Sequence, residues 1–311
     1  MKKLLAALAM IAILPQAAQA AWPEKTMTIV VPYAAGGLAD ASGRLVAREL
    51  EKKLNVNIIV KNVVGATGTI GAAEVARAKG DGYTLGWFPP GPVAGMPNMR
   101  KLPYGKKDLT PVGMMFDEPA YFATAKSAPW ATLDDLIKDV KAHPGKYVMG
   151  APGRGGAVHL SIYSMIKALG LNCRFVPERS NADILKAIAG GTTHFHAAPA
   201  TELQRFDLKA YFIVDKQRSK AFPDIPTAAE LGYDIPRITN WMGLFAPSST
   251  PQGIIDKLST ALGEIAAEPE FQSTAEQMSC TVSYLNHKDF SRFFDEQFNI
   301  YARLLKEILD N

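Results

Sequence analysis

Apolar runs and amphipathic runs alternate along most of this chain. Met27–Val31 is a continuous stretch rich in β-branched residues and predicts a buried strand. Pro32 and the pair Gly36-Gly37 interrupt it. From 40 to 54, Leu45, Val46, Leu50 and Leu54 recur at helical spacing and predict an amphipathic helix. Residues 56–60 (VNIIV) predict the next strand. A glycine-rich loop follows, then a helix over 70–78 and a third strand at 83–88. Strand, helix, strand, helix in that order implies an α/β protein with a parallel or mixed sheet covered by helices.

The theme returns further on. Thr132-Leu133-Asp134-Asp135 resembles a capping box with Asp in place of Glu, opening a helix to Ala142 that Pro144-Gly145 stops. Residues 147–150 are strand-like, 158–169 helical, 174–176 a short strand, and 181–189 a helix closed by Gly190-Gly191. Thr227-Ala228-Ala229-Glu230 is a second capping box. Thr250-Pro251 predicts a helix with proline at its first position and a stripe of Ile254, Leu258, Leu262 and Ile265. A last helix from Lys288 carries Phe290, Phe294, Tyr301 and Leu305 on one side, a core-facing stripe. The proline-rich stretch 89–119 and the segment 236–241 are expected to cross between two lobes. The first lobe is then discontinuous, 21–122 plus 236–311, and the second is 123–235. Lobes joined in this way close around ligands by hinge motion, with the cleft between them as the binding site.

Residues 1–20 stand apart from this pattern. Lys2 and Lys3 form a positive start, Leu4 to Leu14 a short apolar run, and Ala18-Gln19-Ala20 a small-x-small site. These are the parts of a secretory signal peptide, and cleavage after Ala20 is expected. The apolar run is too short to span a bilayer, which takes about 20 residues.

Composition narrows the class. Apolar residues make up 48% and charged residues 21%, as in folded globular chains rather than disordered ones. The net charge of +4 includes Lys2 and Lys3, and no basic run follows, which argues against nucleic acid as a partner. Cys173 and Cys280 are too few for a disulfide framework or a four-thiolate zinc site. They fall in different expected lobes and are read as separate thiols.

Two segments combine a strand end, glycines and a helix start. In Val31-Pro32-Tyr33-Ala34-Ala35-Gly36-Gly37-Leu38-Ala39-Asp40 the free N–H groups of the helix start can hold a carboxylate or phosphate, and glycine lets a ligand approach. A tight turn without ligand fits these residues equally well. Gly150 to His159 repeats the arrangement, with Arg154 adding a fork suited to a carboxylate or serving as a surface charge. His194 and His196 share a face if 194–196 is a strand, but no third metal ligand stands nearby, so neither a metal nor any other cofactor is expected. G-x-S-x-G, H-E-x-x-H and Walker A patterns are absent from the sequence, and Gly65-Ala66-Thr67-Gly68-Thr69-Ile70-Gly71 is not a dinucleotide fingerprint. No enzyme is expected.

The segments WPEK (22–25), PYAAGGLADASGR (32–44) and GATGTIGAAEVARAKGDGYTL (65–85) resemble the periplasmic substrate-binding proteins of tripartite tricarboxylate transporters, the Bug or TctC family. TPVG (110–113), the span from HPGK (143–146) to His159-Leu160, FPDIPTAAELGY (222–233) and NWMGLFAPSSTPQGIIDKLSTAL (240–262) continue the match in order. The resemblance implies a two-lobe periplasmic binding protein, a Venus flytrap, each lobe a mixed sheet flanked by helices. It implies a protein that captures a small organic acid (a mono-, di- or aromatic carboxylate) and hands it to integral membrane subunits, working as a monomer. Presentation of the ligand to a sensor kinase is the alternative. By the resemblance Tyr33, Ala35, Gly36, Gly37 and Asp40 face the ligand from one loop, and Arg154, Gly155, Gly156, Ala157 and His159 from the other. Phe88, Pro90 and Trp241 are expected along the cleft wall.

The chain departs from the family pattern where it reads KNVVGATG (61–68), Val176-Pro177-Glu178-Arg179-Ser180 and His194 to His196. Arg179 and His196 thereby enter the expected second-lobe pocket. Together with Trp87, Phe88 and Trp241 they predict a ligand whose distal end is anionic, or aromatic and anionic.

Overall fold

The computed structural model describes residues 22–310; the expected signal peptide lies outside them. β1 (Met27–Val31) runs straight into the core, and Leu45, Val46 and Leu50 of α1 (Leu38–Leu54) pack back onto it. Asn55 closes α1 in the left-handed conformation, which its short polar side chain tolerates. β2 (Ile58–Asn62), α2 (Thr69–Ala76) and β3 (Thr84–Phe88) complete a β-α-β-α-β start, with β2 and β3 both parallel to β1. The proline-rich stretch after β3 does not cross to a second lobe. It forms a π-helical turn at Gly91–Gly95 and the short α3 (Met96–Met99), then returns as β4 (Leu109–Phe116) to the same sheet.

The crossover is the short segment 117–120 that follows. Beyond it come β5 (Tyr121–Ala125), α4 (Leu133–Ala142), β6 (Val148–Pro152), α5 (Ala157–Ala168) and β7 (Arg174–Glu178). α6 (Asn181–Ala189), β8 (His196–Ala198), α7 (Ala200–Arg205) and β9 (Leu208–Ile213) complete this half. β8, β5 and β9 pair antiparallel, and β6 pairs with β7 in parallel. A bridge between Met149 and Phe195 joins the two sets, so the order reads β7-β6-β8-β5-β9. Tyr121 and Phe122, expected in the first lobe, belong to this second sheet. The Thr227–Glu230 box forms both of its hydrogen bonds, yet the helix stops after one turn at Gly232, whose φ is +82°.

The chain returns along 235–241 to β10 (Met242–Pro247), which inserts antiparallel between β3 and β4. α8 (Gln252–Ala267), α9 (Pro269–Gln277), β11 (Val282–Leu285) and α10 (His287–Asp310) follow. Pro251 caps α8 from outside, one position earlier than its sequence suggested. The first sheet has the order β11-β4-β10-β3-β1-β2, with an apolar core on each face. Phe290, Phe294, Tyr301 and Leu305 of α10 fill one of these cores. α5 spans the boundary between halves: Ile162 and Met165 pack into the second core, while Leu160 packs into the first. Cys173 and Cys280 are both free thiols, in different halves. Among the described residues no helix is long and apolar enough to cross a membrane.

Candidate ligand-binding cleft

The two glycine loops fold alike. Between β1 and α1, Gly36 takes a φ of +88° and its N–H donates to Asp40 Oδ2 at 3.0 Å. Between β6 and α5, Gly155 takes a φ of +76° and its N–H donates to His159 Nδ1 at 3.0 Å. In each case the next glycine, Gly37 or Gly156, is the N-cap in extended conformation, and no side chain caps the helix. α4 and α6 show the contrast. There Thr132 and Ser180 accept a first-turn N–H and quench the helix start. α1 and α5 therefore begin with unsatisfied backbone donors and the positive end of the helix dipole.

Both starts open on one cleft. A cavity of about 130 Å³ and a second of about 300 Å³ beside it share Leu38, Ala157, Val158, Asn181 and Asn240 as walls. Leu38 and Ala157 are the first residues of the two helices. The outer cavity adds Tyr33, Pro90 and Gly156; burial pushes the Tyr33 hydroxyl up to about 12. The inner cavity ends on Glu118, Thr201 and Glu202. A larger hollow of about 820 Å³ lies along α10 and receives neither helix start.

Tyr33, Pro90, Gly156 and Ala157 thus line the cleft, and Ala35, Gly36 and Gly37 form the exposed loop leading to Leu38. The remaining sequence candidates sit elsewhere. Asp40 turns away from the cleft; Arg44, Gly36 and Asn62 all donate to its buried carboxylate, and Asn62 also holds Tyr33 O at 2.9 Å. The Arg44 hydrogen bond, ahead of those from Gly36 and Asn62, brings the Asp40 carboxyl down to about 2. His159 is buried against Phe175; burial first, then the Arg154 charge, lowers its imidazole to about 4, so it stays a neutral acceptor for Gly155. Gly155 itself lies where the halves touch: a Cβ there would stand 2.4 Å from Met99 Sδ.

The expected basic and aromatic distal end is not present. Arg154 is exposed, with its guanidinium 5.0 Å above the Phe175 ring. Arg179 is exposed and lines neither cavity. His196 is fully buried behind the wall, and its Nε2–H donates to Glu202 Oε2 at 2.8 Å. Phe88 packs on Phe245, and Trp241 on Phe290, Phe293 and Phe294, all within the first-lobe core. Trp87 is equally buried and donates to Ser42 Oγ at 3.0 Å. Among the described residues no group of three or more His, Cys, Asp or Glu could hold a metal ion.

The residues that sequence reasoning passed over are Glu118 and Asn240 on the two crossovers, and Asn181 and Glu202 at and near helix starts of the second half. Asn240 N–H donates to Glu118 O at 3.1 Å and ties the crossovers together under the cleft. Burial, helped by the charges of Glu202 and Asp117 and opposed by a hydrogen bond from Asn240, raises the Glu118 carboxyl to about 7. The acidic pair Asp117-Glu118 after an apolar strand was the available signal, because two lobes joined by short crossovers place those residues at the cleft floor.

The sequence from 43 to 309 matches the family model described as the tripartite tricarboxylate transporter family receptor, TctC. A UPF0065 protein of Agrobacterium vitis is 33% identical over 266 residues, covering 83% of this chain and 76% of the relative. A ligand-free TctC solute-binding protein from Polaromonas superposes with a TM-score of 0.83 at 26% identity, covering 92% of this chain and 99% of its own. MatC from Rhodopseudomonas palustris, with bound malate, gives 0.73 at 26% identity, covering 91% and 100%. A second protein of that organism, with adipate, gives 0.76 at 25% identity, covering 92% and 97%. The fold is therefore the two-lobe one of periplasmic binding proteins, and these relatives are solute-binding proteins rather than enzymes. The chain belongs to the TctC family of periplasmic solute-binding receptors.

Proposed function

We propose that this chain captures a small organic acid in the cleft between its lobes, joined by the crossovers at 117–120 and 235–241, and delivers it to the membrane subunits of a tripartite tricarboxylate-type transporter. One observation carries the reading: two glycine-capped helix starts, neither quenched by a side chain, contribute their first residues to one cavity. Such a pair holds a carboxylate through backbone donors and the dipole, with no charged side chain required. The malate- and adipate-bound relatives support an acid as ligand. Delivery to membrane subunits follows the family's description as a transporter receptor. The working form is a periplasmic monomer, cut after Ala20.

The test is a thermal-shift series on exported protein with organic acids and their amides. Ligand at a hundredfold excess over Kd stabilises the folded state by about 2.7 kcal/mol. An acid that raises the melting temperature, and whose amide does not, is the expected result. Equal shifts from acid and amide would remove the carboxylate from the reading.

A further inference from the structure

Beyond the outer cavity the lobes meet backbone to backbone. On the first lobe the π-helical turn Gly91–Gly95 starts in that cavity, where Pro90 and Gly91 stand beside Tyr33. Three of its carbonyls are tied to its own lobe. Gly91 O accepts from Met96 N–H, Pro92 O from Tyr104 Oη at 2.6 Å, and Ala94 O from Asn98 Nδ2 at 2.9 Å. Asn98 Nδ2 also reaches Phe298 O of α10 at 3.3 Å. On the second lobe the loop before α5 is held as firmly: Gly153 N–H donates to Glu178 O at 3.1 Å and Gly155 N–H to His159 Nδ1 at 3.0 Å. These two fixed pieces touch at Gly95 and Gly155, both buried. A Cβ on Gly95 would stand 3.1 Å from Gly155 O, and one on Gly155 would run into Met99 and Leu305 of the first lobe.

The backbone of Gly95 does not require glycine. Its φ of −74° is ordinary helix that alanine adopts freely. Within its own lobe the nearest atom to an added methyl is a Tyr301 ring carbon at 3.6 Å, an ordinary contact. What leaves no room for a side chain is the other lobe. We propose that Gly95 and Gly155 form the stop on which the lobes close, with Gly95 as a positioning residue that sets the length of acid the cleft accepts. Gly155 precedes Gly156, the N-cap of α5, and Ala157, its first residue, so holding Gly155 away also holds those backbone donors away from the start of α1. The lobes turn about the crossovers, whose Glu118 and Asn240 line the inner cavity, while the stop lies past the outer one and moves with that rotation. Two close-packed backbones cannot yield as a side chain would, so an added group widens the closed cleft or disfavours it. A ligand favours closure only as far as it binds the closed form better. The inference rests on the carboxylate reading above and adds what fixes the distance between the two helix starts.

The experiment titrates ligand-stripped protein calorimetrically with straight-chain mono- and dicarboxylates of four to eight carbons, in wild type, Gly95→Ala and Gly95→Val. The acid that the wild type binds best should lose about threefold or more in affinity in G95A and about tenfold or more in G95V, and longer acids should lose less. No loss in either variant, or an equal loss at every length, overturns the inference and leaves the carboxylate reading standing. G95A decides on its own if G95V does not fold. Hydrogen exchange of the ligand-free proteins separates a wedge between lobes from damage within one. In G95A exchange over 153–163 should quicken while β1 and β3 keep their protection. Faster exchange in β1 and β3 would place the damage inside the first lobe and overturn the inference. If no acid of the series binds the folded wild type, the carboxylate reading falls, and exchange over 153–163 then judges the stop by itself: unchanged rates overturn it.

Discussion

Asp40→Asn isolates the tie that holds the first ligand loop to its lobe. The wild-type carboxylate is 4% exposed and accepts from Gly36, Arg44 and Asn62. Its pKa falls from 3.8 to about 2, with the Arg44 hydrogen bond as the largest cause. A group whose folded pKa is depressed stabilises the fold above its unfolded pKa, and that stabilisation is lost as pH falls through the folded value. At about 1.4 kcal/mol per unit the displacement corresponds to about 2.5 kcal/mol. The Arg44 side chain is half exposed, so solvent screens part of this, and about 1–2 kcal/mol is expected at neutral pH. Asparagine keeps the volume and an acceptor for Gly36 but loses the charge. Urea unfolding of both proteins should show that gap at neutral pH, reduced to about half near pH 3 and nearly closed near pH 2. A gap of constant size from neutral pH to pH 3 would mean lost packing rather than lost charge, and would refute the electrostatic account. Ligand affinity should fall in the same variant, because Gly36 and Tyr33 are both held through the Asp40–Asn62 network.

Three further outcomes follow from the same geometry. Arg154→Ala should leave ligand affinity unchanged by calorimetry, since the guanidinium is exposed over Phe175; a tenfold or greater loss, about 1.4 kcal/mol, would return it to the cleft. Gly155→Ala should lower unfolding stability by about 1–3 kcal/mol, because a side chain there meets both a φ of +76° and the Met99 sulfur. His159 is held neutral, with its pKa lowered to about 4, so its contribution to stability is present at neutral pH and is lost as pH falls from its ordinary 6.5 towards 4. His159→Gln should remove that part of the pH dependence in urea unfolding, and an unchanged profile would show that His159 is not its source.

Local periodicity was enough to read α1 and α10, whose stripes need no tertiary information. β2 starts two residues later than its apolar run because Asn55 turns left-handed and Val56 N–H bonds back to Glu51. The glycine loops were legible as anion sites because the donors are backbone, present wherever glycine precedes a helix that lacks a cap. The side chains around them were not. Asp40 and His159 each stand four residues after the glycine they hold, a spacing that suits loop clamping as well as ligand contact until the helix start is fixed. Trp87 and Phe88 adjoin the cleft in sequence, but neighbours on a strand point to opposite faces, and helices cover both faces of this sheet. Glu118 and Asn240 lie on crossovers, where no period marks direction and only the pairing of two distant segments sets it. The site thus divides into a backbone half that any such loop provides and a side-chain half placed by tertiary pairing. The acid-binding end could be read from the loops alone. The polarity of the other end was read from Arg154, Arg179 and His196, and the structure reverses it: these three are solvated or engaged with Glu202, and the residues that reach the floor are the acids Glu118 and Glu202.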